Sequence, residues 1–557
     1  MALSTYTTAA LAGVLSHIAY FKRGEHHLQG IFYLKVLFTT ILTSTAFIIY
    51  RENTPVVSAL TLVLKLASSF LAGLYTSVLT YRVLLHPLNK FPGPLPARIS
   101  STWLAAQLNH DLYLKLQFYH EKYGDFVRIG SSDISISHPD AVEALYGTHS
   151  LCTKGENYEL SAPATSLQLI RDPEEHRVRR RVWSGAFSDR LLRGYEQRIK
   201  QYRAKLVSHI ADCAKAGVPV DIRKWFNMYS FDVMGDLSFG KGFGSLESGE
   251  EHWVMKPLMD TQDYIGWFLP AWVFVIVMAI PGLTGDFWQF LDYCGERLIE
   301  RFKNDPEIPD ISTSLFAPLK GRNLDDLTAD EKNMLYGDAR LIVIAGSDTT
   351  SGTLSAIFYE LARKPQEITK LRAELDPLIS SDTETKYSAI ENENKHELLN
   401  TKIAHLDHLN GVINEALRMY PAVPAQLQRK TPPQGISIGG TYIPGDMHVF
   451  CPLYVVHRSE QAYVHPNEFI PERWYSQPDL IKHKNAFAPF SLGPFNCIGR
   501  PLALMNLRAT VAQLVMEFDV SFKPGDNGEA FTRDTRDNFV YYAGGLELVF
   551  SKRGGKG

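Results

Sequence analysis

The chain has 557 residues, 45% of them apolar and 21% charged, which is enough apolar surface for a large buried core. Its formal charge of −3 removes the electrostatic case for a nucleic-acid partner. Five cysteines, at positions 152, 213, 294, 451 and 497, are odd in number, widely spaced and free of any CxxC pair, so neither a disulfide framework nor a structural zinc site is expected.

Apolar runs at about 2–21, 31–50 and 56–85 are each long enough to cross a bilayer. Lys22 and Arg23 follow the first run instead of preceding it, the reverse of a secretory signal. The positive-inside rule then puts the N-terminus in the lumen and the 22–30 loop in the cytosol. Lys35 and Lys65 fall within the later runs and weaken the count, so residues 1–85 are expected to form an anchor of one to three spans. "HPLNKFPGPLPAR", residues 86–98, reads as a stiff connector, because each proline fixes its own φ and biases its predecessor to extended structure. From 99 to 557 there is no linker-like shift and no internal repeat, which predicts one large body. Its polar stretches "KNDPEIPDIS" and "SSDTETKYSAIENENKHELLN" read as surface loops.

Within that body, "EEHRVRRRVWSGAFS", residues 174–188, is a basic run whose default reading is a solvated face. Residues 328–365 open with a capping box, Thr328 and Glu331, and close at Pro365, which predicts a helix on the order of 55 Å long. Its middle, Gly346 to Gly352, is poor in helix formers between strongly apolar flanks. Two readings stand: a kink with hydroxyls bonded to the preceding turn, or a locally opened helix that admits a small ligand. In "NEALRMYP", Glu415 and Arg418 share one helix face, and "FIPERW" offers Arg473.

The stretch "FSLGPFNCIGRPLALMNL", residues 490–507, sets Cys497 between Gly493 and Gly499, with Pro501 placed for the first turn of an apolar-periodic helix. A lone cysteine is ordinarily a small buried apolar residue. Here the glycines permit close approach of a flat group, and a helix N-terminus behind the sulfur favours its thiolate.

These segments resemble the cytochrome P450 superfamily. "FSLGPFNCIGR" is similar to the family's cysteine loop, F-x-x-G-x-[R/H]-x-C-x-G, at Phe490, Gly493, Cys497 and Gly499, with Phe495 standing where the family usually has Arg or His. "AGSDTT" resembles its oxygen-activation segment, Glu415 and Arg418 its ExxR, and residues 86–98 its proline hinge.

The resemblance implies a mainly α fold with a smaller β region, preceded by transmembrane helices. It implies haem b with Cys497 as the axial iron ligand, and Ala345 and Gly346 as the wall beside the iron. Thr349 would hydrogen-bond dioxygen and Asp348 would feed protons inward through water. Glu415, Arg418 and Arg473 would form a buried network holding the cysteine loop. His176 and Arg180 take the W-x-x-x-R positions and, with Arg429, would contact the haem propionates, leaving Arg177, Arg179 and Arg181 for a redox partner.

The activity implied is a monooxygenase of the endoplasmic reticulum membrane with its catalytic domain in the cytosol. Electrons would come from NADPH-cytochrome P450 reductase, with cytochrome b5 as a further donor. The mostly apolar segments "ELSAPATSLQLI", Val423 to Ala425 and "YYAGG" imply a lipophilic small-molecule substrate, and the motif style resembles fungal secondary-metabolite members acting on terpenoids or alkaloids. The alternatives are a haem-thiolate isomerase or dehydratase of the same fold, which Asp348 with Thr349 argues against, and a non-catalytic membrane-tethered haem sensor.

Overall fold

The computed structural model describes residues 2–161, 164–280, 282, 285–382 and 399–554. Ala162, Pro163 and most of the second polar stretch, residues 383–398, lie outside the described residues. The chain is mainly helical with small sheets and forms two compact units.

One unit comprises Met1–Gln107, Phe126–Ser135 and Phe268–Gly285. The three apolar runs become the helices Ala2–Ser16, Gly30–Glu52 and Val56–Thr80. Two stretches, His27–Glu52 and Val56–Lys90, are long and apolar enough to cross a membrane. The first run is not among them: it is a 15-residue helix and a π turn packed along Val56–Thr80. A Cβ on Gly13 or Gly73 would run into the backbone of the other helix, so these glycines set a backbone-to-backbone approach of the kind that associates helices without a hydrophobic driving force. The π turn's His17 is buried and shares a 2.8 Å hydrogen bond with Ser77.

The proline-rich segment is folded into this unit. Arg128 is buried and fastens the segment through Nη1 to Asn89 Oδ1 at 2.5 Å, with Ser131 O 2.6 Å from Nη2. The helix Ala271–Met278, "AWVFVIVM", packs on Gly30–Glu52, an apolar element that the reading of the N-terminal runs passed over.

The other unit comprises Leu108–Asp125, Ile136–Trp267 and Asp286–Gly557. At its centre is the helix Ala329–Arg363, with the expected capping box of Thr328 and Glu331. It is also long and apolar enough to cross a membrane, but two thirds of its most apolar window is buried within the protein, and it is read here as a core element. Around it pack Ile222–Phe239, Asp407–Met419 and Arg500–Glu517. Short antiparallel ladders complete the unit: Glu547–Lys552 pairs with both Phe518–Phe522 and Val220–Asp221, while Arg429–Lys430 pairs with both Thr153–Lys154 and His448–Phe450.

The central helix is continuous through Gly346–Gly352, so the expected local opening is not formed. Its hydroxyls turn back on the preceding turn: Ser347 Oγ donates to Val343 O at 2.7 Å and Thr349 Oγ1 to Ala345 O at 2.6 Å. These bonds satisfy the hydroxyls inside the helix and remove the need to break it. Gly346 serves packing as well, since a Cβ there would collide with the Met234 side chain of the neighbouring helix.

Two buried carboxylates organise the rest. Asp338, on the central helix, accepts from Leu167 N at 2.8 Å, Arg179 Nε at 2.7 Å and Trp183 Nε1 at 2.8 Å. It thereby ties the 164–170 segment and the helix Pro173–Ser184 to the core. Arg179 is spent on this bond and is withdrawn from the expected partner-facing set. Glu415 accepts from Arg418 Nε at 3.0 Å, Arg473 Nε at 3.1 Å, Trp474 Nε1 at 2.9 Å and Ile470 N at 3.0 Å, and Glu415, Arg418 and Arg473 are all 0% exposed. The remaining guanidinium donors reach the carbonyls of His457, Pro466, Val464 and His465. Trp474 in turn packs its ring 4.3 Å from that of Phe487, just ahead of the cysteine loop.

Glu415→Ala leaves two guanidinium groups buried without a counter-charge, and a loss of about 3–5 kcal/mol is expected. Urea unfolding followed by far-UV circular dichroism checks it; a loss under about 1 kcal/mol would show that water neutralises the pair instead.

Candidate active site

The cysteine loop is built by two backbone constraints. Gly493 has φ +60°, and a Cβ there would stand 2.6 Å from the carbonyls of both Tyr146 and Gly147, so only glycine fits. Cys497 N donates to Phe490 O at 2.8 Å, closing the loop just before the helix Arg500–Glu517, whose first turn holds Pro501. Phe490 and Gly499 flank this turn as expected, and a Cβ on Gly499 would lie 3.8 Å from Cys497 Sγ.

Cys497 is exposed to the space before it while protein encloses it elsewhere. That enclosure pushes its thiol up; the N–H groups of Gly499 and Arg500 and the charge of Arg180 pull it down without prevailing. The N–H groups at the start of the helix thus act on the sulfur in the expected direction, against the desolvation. Ionisation of this sulfur waits on a cation that binds it.

Four basic residues gather at the loop. Arg180 donates from Nη1 to Asn496 O at 2.7 Å and from Nη2 to the Asn496 side chain, so part of its fork holds the loop itself. His176 meets the Phe495 ring edge-on at 4.7 Å between centroids. Burial first, then Lys154, Arg180 and Arg429, depress the His176 imidazole to about 3, so it is a neutral ring and acts through its N–H rather than through charge. Arg429 is buried, places its guanidinium 5.4 Å from the Phe495 centroid, donates to Tyr158 Oη at 3.2 Å, and keeps Nε without a partner. Lys154, which sequence reasoning missed, sets Nζ 4.9 Å from the same ring.

No carboxylate pairs with Lys154, Arg180 or Arg429 among the described residues. A lone lysine in a two-residue strand carries no sequence signal that would have found it.

Thr349 and Asp348 sit apart from this group in their bonding. Ala345, whose carbonyl accepts from Thr349, is exposed between the buried Val343 and Ser347, which marks an open space along that face. Asp348 accepts from Gln262 Nε2 at 2.6 Å and borders a cleft lined by Arg223, Asn227, Glu251, Ser351 and Tyr542. Burial pushes its carboxyl up to about 6 against the Gln262 bond, which lowers it. A carboxyl so placed exchanges protons near neutral pH.

Because the folded-state value lies above the ordinary 3.8, the stability Asp348 contributes is complete below about pH 4 and is lost as pH rises through about 6. The loss is on the order of 3 kcal/mol. Asp348→Asn should therefore lose less stability than the parent between pH 4 and pH 7 in urea unfolding. Parallel curves for the two proteins would contradict the raised value.

A family model described as Cytochrome P450 matches residues 90–546. Cytochrome P450 monooxygenase notG' of Aspergillus versicolor is 44% identical over 99% of this chain and 98% of its own length. Tryprostatin B 6-hydroxylase of Aspergillus fumigatus is 43% identical over 98% of this chain and 96% of its own. Cytochrome P450 monooxygenase sthD of Phaeosphaeria nodorum is 40% identical over 87% of this chain and 99% of its own.

Proposed function

The chain belongs to the cytochrome P450 family, and on that premise we propose that it is a membrane-anchored haem-thiolate monooxygenase that hydroxylates a lipophilic alkaloid in fungal secondary metabolism. The observation that carries the reading is the pairing of an exposed cysteine with three basic side chains that have no acidic partner among the described residues. This set fits a haem: a soft thiol for iron, and positive charge for two carboxylates.

When bound, the haem supplies iron that activates dioxygen, with electron density pushed from the proximal thiolate. Cys497 would hold the iron through Sγ. Arg180 and Arg429 would neutralise the propionates, and neutral His176 would donate its ring N–H. Ala345 and the backbone of Gly346 would wall the space where dioxygen is held, and Thr349 would turn its hydroxyl from Ala345 O toward it. Asp348 takes protons from the cleft beside it and passes them inward, which its carboxyl is tuned to do near neutral pH.

The apolar stretches His27–Glu52 and Val56–Lys90 support anchoring in the endoplasmic reticulum membrane, with the catalytic unit in the cytosol. Electrons come from NADPH through a reductase, cytochrome b5 serving as a further donor. Arg181 is exposed on the helix Pro173–Ser184 and suits an acidic redox partner, while Arg177, also exposed, forks onto Glu174 one turn back. The relative named for 6-hydroxylation of tryprostatin B supports the alkaloid class and the choice of hydroxylation.

The reduced, CO-treated holoprotein should show the red-shifted Soret band of thiolate ligation, and Cys497→Ala should abolish it. Retention of that band in the variant would remove Cys497 from the iron.

Thr349→Ala and Asp348→Asn should each uncouple the reaction. With a substrate found by product analysis in a host fed prenylated alkaloids, product formation should fall by about 10²-fold or more while NADPH oxidation continues and peroxide accumulates. Unchanged coupling in both variants would take these residues out of proton delivery.

A further inference from the structure

Thr153–Lys154 pairs with Arg429–Lys430 in a register that sets Lys154 directly opposite Arg429. Like charges opposed across a ladder repel, and these two are 4% and 2% exposed, so water screens them little. Arg180 adds a third positive charge at the same loop. The acids closest in sequence are engaged elsewhere, Glu156 facing His448 and Glu159 holding Arg171. Such an arrangement is relieved either by loss of the Lys154 proton or by an anion among the cations.

The ammonium of Lys154 differs from the two guanidinium groups. Its three hydrogens are directed to Gln168 O at 2.7 Å, Ile170 O at 2.9 Å and Leu167 O at 3.3 Å, and it lies 4.9 Å from the Phe495 centroid and 5.4 Å from that of Tyr158. Its donors are used up, so it has charge to offer a ligand but no hydrogen bond.

Resting on the haem reading above, we infer that Lys154 is a fixed counter-charge for the haem propionates, acting through space from a cage of backbone carbonyls and aromatic faces. It supplies from the Thr153–Lys154 strand the positive charge that Phe495 does not carry in the loop. In support, burial and then Arg429 and Arg180 pull the Lys154 ammonium down to about 6, so the fully charged form at neutral pH calls for an anion nearby. The carbonyl cage also fixes the 167–170 segment, whose Leu167 N is bonded to Asp338, so Nζ is held in place when the site is empty.

Haem transfer from the holoprotein to apomyoglobin tests the inference, with haem b and with its dimethyl ester, in which both propionates are uncharged. Lys154→Gln keeps N–H donors for the carbonyls and removes the charge. It should lose haem b on the order of tenfold faster than the parent, the scale of a weakly screened charge pair. It should lose the dimethyl ester at the parental rate. Adding Phe495→Arg to Lys154→Gln should restore retention of haem b, and Lys154→Arg should hold haem b as the parent does.

Equal acceleration for haem b and the ester would reduce Lys154 to a structural pin and overturn the inference. Parental loss rates in Lys154→Gln would overturn it too. A parent protein without the thiolate-type CO band would overturn the haem reading itself, which the loss rates of the variants do not touch.

Discussion

A charge taken out of water must meet its opposite, and this constraint shapes the catalytic unit more than any single contact. Glu415 shows it in closed form. One carboxylate is shared by two guanidinium groups, Arg418 giving it two N–H groups and Arg473 one, and an indole N–H and a backbone N–H bring the bonds it accepts to five. The spare donors of the arginines run to carbonyls across residues 457–480, so the neutralisation of one acid also fixes the path of the chain leading to the cysteine loop. Arg198 with Asp236 and Arg301 with Asp310 repeat the arrangement on the far helices, at 2.8 and 2.7 Å. Each such group costs desolvation, and what it returns is a single allowed geometry.

The central helix meets a related demand with uncharged groups. Seven residues poor in helix propensity sit in its middle, yet the helix, packed on its neighbours, does not break, and the hydroxyls of Ser347, Thr349, Thr353 and Ser355 are satisfied by carbonyls four residues back. The same small side chains let Met234 approach at Gly346 and Thr165 at Gly337. A helix satisfied in this way can release one hydroxyl to a ligand at the cost of one bond, without rebuilding a turn. Continuity and reactivity are therefore compatible at Thr349, where the sequence read alone set them against each other.

What was legible in the sequence follows from this. Motifs whose meaning is local could be read: the capping box at Thr328, the glycine that Gly493 must be, the helix that Pro501 begins, and the i,i+3 pair of Glu415 and Arg418. Groups defined by long-range pairing could not. Lys154 gains its role from a strand register with residue 429, Gln262 from a helix that meets Asp348 across 86 positions, and Arg179 from Asp338 across 159. The basic run at 174–188 looked like one surface, and tertiary packing divided it. Arg179 and Arg180 turned inward to Asp338 and Asn496, while Arg177 and Arg181 stayed outside. The desolvation at Cys497 is likewise a tertiary effect, whereas the helix N-terminus behind it is a local signal.

The contrast between closed and open charge groups separates framework from site. Around Glu415, Asp236 and Asp310 the protein supplies both signs, and such groups have no further use for a ligand. Around Phe495 the described residues supply only the positive sign, from three elements that meet at one phenyl ring, and among them Arg429 Nε has no acceptor. An aromatic ring is a suitable centre for that purpose: its faces attract the cations while its carbon atoms offer no hydrogen bond that would quench them. Phe495 thus gathers charge without neutralising it. On the haem reading a dianionic ligand would complete the imbalance, and the geometry that makes the empty site costly would be the one that favours carboxylates in the filled site.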